Sequence, residues 1–201
     1  PVFRAYLMLF LAVLVKLFEG IPNLLSILFF SGSLILLVYP QYVYSYSFWL
    51  SFLATLYILL SLREAPEFSE NRHINLVFLS FWVSLFAFLA TAPIVLSFSY
   101  STPNSVLFTP LVSLAFLPFT FYGFLEIITL FSLPSFPLEL TGKLALWSVK
   151  LFSGFEWQLQ KGMSLSSVAV LTLLNALILY FAKGYYKLLA LLTFVLFYLF
   201  A

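Results

Sequence analysis

The stretch Ile74–Tyr100 reads INLVFLSFWVSLFAFLATAPIVLSFSY, with no charged residue along it. A helix needs about 20 apolar residues to cross the hydrocarbon core of a bilayer, and this run exceeds that. The apolar residues are continuous, not alternating with polar ones. That pattern argues for helices and against the roughly ten-residue alternating strands of a membrane barrel. Similar runs recur along the chain, and 64% of its 201 residues are hydrophobic while only 8% are charged. A soluble domain covers its surface with about a quarter charged residues. Nine Lys and Arg and seven Asp and Glu cannot do that here. The composition therefore predicts an all-α, polytopic helical membrane protein.

About seven hydrophobic segments follow from the pattern: Phe3–Phe18, Pro22–Tyr39, Tyr44–Leu62, Ile74–Tyr100, Val106–Leu133, Ser164–Ala182, and a last one from Lys187 onward. An amphipathic stretch, Leu138–Phe155, reads as an interfacial helix, and Arg63–His73 as a polar loop. The whole of residues 1–201 reads as one transmembrane domain. The start at Pro1 without Met and the stop at Ala201 in mid-segment read as marks of a fragment or a processed piece.

The fourth and fifth segments contain Pro93, Pro110 and Pro118. An internal Pro removes one backbone hydrogen bond and crowds the preceding turn. In lipid the freed carbonyl needs another partner. Two readings follow: kinked spanning helices, or half-helices broken at these prolines that dip into a polar pathway.

Alternating sides put Arg4, Lys183 and Lys187 on one face of the membrane and Lys16, Arg63, Arg72, Lys143, Lys150 and Lys161 on the other. That count favours the second group as cytoplasmic.

Few residues carry chemistry. Glu126 is the one acid inside a hydrophobic segment. A carboxylate at membrane depth is costly and points to a proton site or cation partner, unless a neighbouring helix bonds it. At 100° per residue, Glu139, Lys143 and Lys150 share a stripe, with Trp147 beside them. Such a cation–aromatic stripe can track one strand of nucleic acid. It equally fits an interfacial helix with snorkelling Lys and Trp at headgroup level. Thr172 and Asn175, one turn apart, either bond across helices or line a pore. Ser47, Ser51 and Thr55 have the spacing of a close helix contact. His73 has no ligand-spaced partners, so no metal and no other cofactor is expected. With no cysteine there is no thiol chemistry, and no catalytic constellation appears, so no enzyme is predicted.

Three stretches together resemble the competence domain of ComEC-type DNA-uptake channels. Pro1-Val2-Phe3-Arg4-Ala5-Tyr6-Leu7-Met8 is similar to that family's Pro-x-x-Arg-Ala-x-x-Met opening. Asn23-Leu24-Leu25, Tyr39-Pro40 and Phe48-Trp49-Leu50-Ser51-Phe52-Leu53-Ala54 are similar to Asn-x-Leu, Asp-Pro and Phe-Gln-Leu-Ser-Phe-x-Ala. Thr91-Ala92-Pro93, Phe98 and Ser105 to Ser113 are similar to a Pro, a Phe and Asn-Leu-x-x-x-Pro-Leu-x-Ser. Tyr39, Trp49 and Ser105 depart from the Asp, Gln and Asn of that pattern. The likeness covers residues 1–115, and beyond it only the hydrophobic layout agrees.

The resemblance implies a multi-pass channel in the bacterial cytoplasmic membrane that passes single-stranded DNA inward during natural transformation. It implies the lipid bilayer, single-stranded DNA and other competence proteins as partners. It also implies an oligonucleotide-binding domain before this region and a metallo-β-lactamase-like domain after it. The DNA path would have Arg4 and the Lys143–Trp147–Lys150 stripe near its ends. In that family the C-terminal domain lies outside, which places Lys183 and Lys187 in the cytoplasm, against the count above. The rival readings are a secondary transporter using Glu126 as its proton site, and a structural membrane subunit.

Overall fold

Each apolar run closes its backbone hydrogen bonds within itself as an α-helix. The computed structural model describes residues 2–17, 23–63, 65–67, 70–129, 134–153, 158–159 and 162–200, and leaves out the side chains of 2–5, 153 and 200. Eight α-helices stand among them: α1 (Val2–Leu17), α2 (Leu24–Val38), α3 (Tyr46–Leu62), α4 (Arg72–Leu96), α5 (Ser105–Ile128), α6 (Phe136–Ser153), α7 (Leu165–Phe181) and α8 (Leu189–Phe200). Two short 3-10 turns, Pro40–Tyr44 and Gly184–Leu188, precede α3 and α8. No strand occurs among the described residues; one isolated bridge joins Ser101 and Leu159. Side chains cap three of the helix starts: Asn23 accepts from the Leu25 N–H, Asn71 from His73, and Ser164 from Ser167.

The core is built from α2, α3, α4, α7 and α8. Leu28, Phe52, Leu56, Tyr57, Trp82, Phe86, Leu89, Val168, Leu171, Leu179, Ala190 and Phe194 form one buried cluster, which includes no residue of α5 or α6. The turn that follows α3 and the α7–α8 turn lie at one end of the bundle, where the Arg63 guanidinium sits 5.4 Å over the Tyr180 ring. At the opposite end Tyr46 of α3 meets Phe98, just past α4, at 5.0 Å.

Helices α5 and α6 form an antiparallel hairpin outside this core. Phe108 stacks on Phe152 at 4.4 Å between ring centroids. A Cβ on Gly142 would stand 3.2 Å from Phe119, and one on Gly123 would stand 3.6 Å from Leu138. The paired positions rise along α5 as they fall along α6, so α6 runs along the whole hairpin. Helix α6, the amphipathic stretch, packs against α5, with Ala145 only 1% exposed. This return brings the chain back to the Leu96 end of the bundle, where the Met163 N–H donates to the Leu96 carbonyl. Lys187 therefore meets the α3 end beside Arg63 instead of lying opposite to it.

The prolines break nothing. The 25-residue α4 runs through Pro93 and the 24-residue α5 through Pro110 and Pro118. Each proline has a nearby hydroxyl that adds a bond to a neighbouring carbonyl. Thr91 donates to Ala87 (2.9 Å), Ser113 to Thr109 (2.5 Å) and Thr120 to Leu117 (2.9 Å). These bonds go to carbonyls other than those of Leu89, Val106 and Leu114, which the prolines leave without their i+4 donor.

Outside the core the helices are apolar. Phe29 and Leu37 on α2, and Leu107, Leu114, Leu117, Phe121 and Phe124 on α5, are all more than half exposed. Contiguous apolar surface on this scale is not stable against water. The two longest helices, α4 and α5, have the length and hydropathy to cross a bilayer. The surface is that of a membrane-associated protein.

Candidate functional site

Helix α4 turns one face to the core and the opposite face to α5. The two do not close completely, and a cleft of about 630 Å³ lies between them. Its walls carry two hydroxyl rows. Ser80, Ser84 and Thr91 stand on α4, and Ser105, Thr109 and Ser113 on α5. The α5 hydroxyls are spaced i, i+4, i+8, so they fall on one helix face. A second cleft of about 410 Å³ lies between α5 and α6, and the same three α5 residues line it with Asn104, Val149 and Phe152. The N-terminal half of α5 thus forms a wall shared by two clefts. The small hydroxyl side chains leave the space that Leu or Phe would fill. Ser80, Thr91 and Ser113 bond carbonyls of their own helices, which satisfies the hydroxyls without water.

Leu62 and Leu76 line the first cleft near the Arg63 end of the bundle. The end of α3 there is fixed by Lys187, which is buried, 1% exposed. Its Nζ donates to the carbonyls of Leu60 (2.7 Å), Ser61 (3.2 Å) and Arg63. A helix leaves its last four carbonyls without intrahelical partners. Here each has one: Leu59 accepts from the Arg63 N–H, Leu62 from the Ala65 N–H, and Ser61 also from the Trp82 indole at 3.3 Å. Gly184, at φ +50°, makes the turn that brings Lys187 inward.

The residues singled out from the sequence fall in different places. Pro110 lines the first cleft, while Pro93 is buried in the core and Pro118 lines neither cleft. Lys143, Trp147 and Lys150 are exposed on the outer face of α6 and line neither cleft. Lys143 pairs with Glu139 at 3.9 Å. The Arg4 side chain and Lys161 lie outside the described residues. Glu126 is buried near the end of α5 and also lines neither cleft.

Asn175 and Thr172 bond across helices. The Asn175 amide accepts from Thr193 of α8, and the Thr172 carbonyl accepts from the Tyr57 phenol of α3 at 2.8 Å. Of the small-residue row on α3, Ser47 is exposed, and the close approach occurs instead at Gly32 of α2 against Phe52. His73 is exposed in the first turn of α4.

The hydroxyl rows and Lys187 were not singled out from the sequence. The i, i+4, i+8 spacing of Ser105, Thr109 and Ser113 was the signal available for the first. Lys187 offered none, because its partners lie more than 120 residues away.

No solved structure matches the chain. A relative from Aquifex aeolicus (strain VF5), described as an uncharacterized protein, is 41% identical over 193 residues. The match takes in 95% of this chain and 45% of the relative, so the chain spans less than half of that protein's length. The family model of the competence proteins matches residues 1–190, and the chain belongs to that family.

Proposed function

We propose that residues 1–201 are one membrane domain of a DNA-uptake channel, a ComEC-type protein of the bacterial cytoplasmic membrane. It passes a single strand of DNA inward along the α4–α5 cleft. The observation that carries this reading is the cleft itself, walled by facing hydroxyl rows on the two longest apolar helices of a competence-family chain. Small hydroxyls, of which Ser80, Thr91 and Ser113 already bond their own helices, leave room for a chain to pass and hold no part of it tightly. That suits conduction, which needs weak, repeated contacts.

The end of the bundle with Arg63, Arg72 and Lys183 faces the cytoplasm in this reading. It gathers cationic residues flanking the apolar helices, as the positive-inside rule requires. The tyrosines at both ends, Tyr39, Tyr42 and Tyr44 at one and Tyr180, Tyr185 and Tyr186 at the other, sit at headgroup level, where such rings are favoured. The flanking oligonucleotide-binding and metallo-β-lactamase-like domains, and the other competence proteins as partners, belong to this proposal too. The rival transporter reading depends on Glu126, which faces neither cleft.

The test is uptake of end-labelled duplex DNA by cells with and without the gene for the full protein. Deletion is expected to leave DNA bound at the surface and to abolish internal, nuclease-protected strand. Unchanged internalisation would overturn the proposal.

A further inference from the structure

Three carbonyls from the end of α3 converge on one point, and the Lys187 ammonium occupies it. An ammonium has three donors and no acceptor, and a carbonyl is a fitting partner for each donor. The negative end of the α3 helix dipole faces the same point. Lys187 reaches it from the far side of the α7–α8 turn, and Trp82 of α4 bonds the shared Ser61 carbonyl. Three structural units thus meet at one cation: the α3 end, α4, and the α7–α8 turn.

The geometry points to a carbonyl site for a primary ammonium, filled by Lys187 from within the chain, which positions the Arg63-end lip of the α4–α5 cleft. Leu62, part of the cleft wall, lies between Ser61 and Arg63, whose carbonyls Lys187 holds. Without the cation the buried Leu60 carbonyl loses the ammonium, and Ser61 is left with the Trp82 indole. A buried acceptor without a partner is costly, so the last turn of α3 moves or admits water. Lys187 is a positioning residue: it acts on the cleft through the α3 backbone. The cage stands on geometry alone, and only its effect on DNA passage rests on the channel reading.

The test uses the full-length protein in membranes, with any cysteine outside residues 1–201 replaced; the chain itself has none. Ser61 is fully buried, and Ser61→Cys reports on the end of α3 by its rate of modification with a methanethiosulfonate reagent. Adding Lys187→Ala is expected to raise that rate about tenfold or more, the ratio to which loss of one charged hydrogen bond converts. Propylammonium replaces the missing atoms and should restore protection. Tetramethylammonium, which has no N–H, and 1-butanol, which has no charge, should not. Equal protection with and without Lys187, or rescue by 1-butanol, would overturn the proposal. If the Lys187→Ala protein does not accumulate, acylation of the native protein decides. Exposed Lys183 is expected to react and Lys187 to be spared, and equal reaction of the two would sink the idea. A cage that passes these tests while cleft variants leave DNA uptake intact would stand without the channel reading.

Discussion

The phenol of Tyr57 donates a 2.8 Å hydrogen bond to the carbonyl of Thr172, 115 residues further along the chain, in the buried seam between α3 and α7. Helices in lipid gain little from burying apolar surface, since the tails are as apolar as Leu, so bonds of this kind carry specificity. The Thr172 hydroxyl meanwhile turns back to Val168 at 2.8 Å. Tyr57→Phe keeps the ring and removes only the cross-helix bond. It is expected to cost about 1 kcal/mol, measured as a lower denaturation midpoint of the full-length protein in mixed micelles. Thr172→Val should cost less, because the acceptor is a backbone carbonyl that survives.

Gly32 and Phe52 make a second tight seam, between α2 and α3. A Cβ at position 32 would stand 2.8 Å from the Phe52 ring. The ring has little room to retreat, stacked on Phe48 at 5.8 Å and met edge-on by Phe29 at 5.8 Å. Gly32→Ala is expected to destabilise the protein by about 1–3 kcal/mol, the usual cost of overpacking. Phe52→Leu in the same chain should recover part of the loss, a coupling that a double-mutant cycle reads directly.

Thr109 lines both clefts, so its replacement tests the path. Thr109→Trp is expected to reduce internalised strand to the background of the gene deletion while surface-bound DNA stays unchanged. Leu114→Trp, on the exposed face of α5, is the control and should leave uptake intact. Equal effects of the two would mean that the clefts do not carry DNA.

Lys143 and Lys150 are exposed on the outer face of α6 and line neither cleft. Their joint reversal to Glu is expected to leave uptake within about twofold of the parent, because neither stands on the proposed path and exposed charges add little to stability. A clear loss of uptake would bring the strand to the outside of the hairpin, along the Lys143–Trp147–Lys150 stripe.

The helices were legible because a membrane helix is written in one variable, a sustained apolar run, and each segment boundary falls within a few residues of the structural one except past Leu96 and Ile128. Sidedness was less legible. Which end of the bundle each later loop joins depends on the pairing of Leu138–Phe155 with α5, and that pairing is in the Gly142–Phe119 and Phe108–Phe152 contacts, which no local pattern records. Pro93, Pro110 and Pro118 left open kinked spanning helices or half-helices, and α4 and α5 run through all three. Lys187 looked like a loop cation, since Lys183 and a Gly precede it, and only the fold shows it turned inward.

The Met163 N–H donates to the Leu96 carbonyl at 3.2 Å, and just beyond it Ser101 and Leu159 exchange two backbone bonds. The chain therefore leaves the core at Leu96 and returns to it at the same point. Everything between is a detour, and the five-helix core closes without it. Such a detour can lengthen, shorten or change its surface over evolutionary time without disturbing the framework beneath. The five-helix core and the α5–α6 wall of its cleft are thus separable units, joined where these three backbone bonds close the chain on itself.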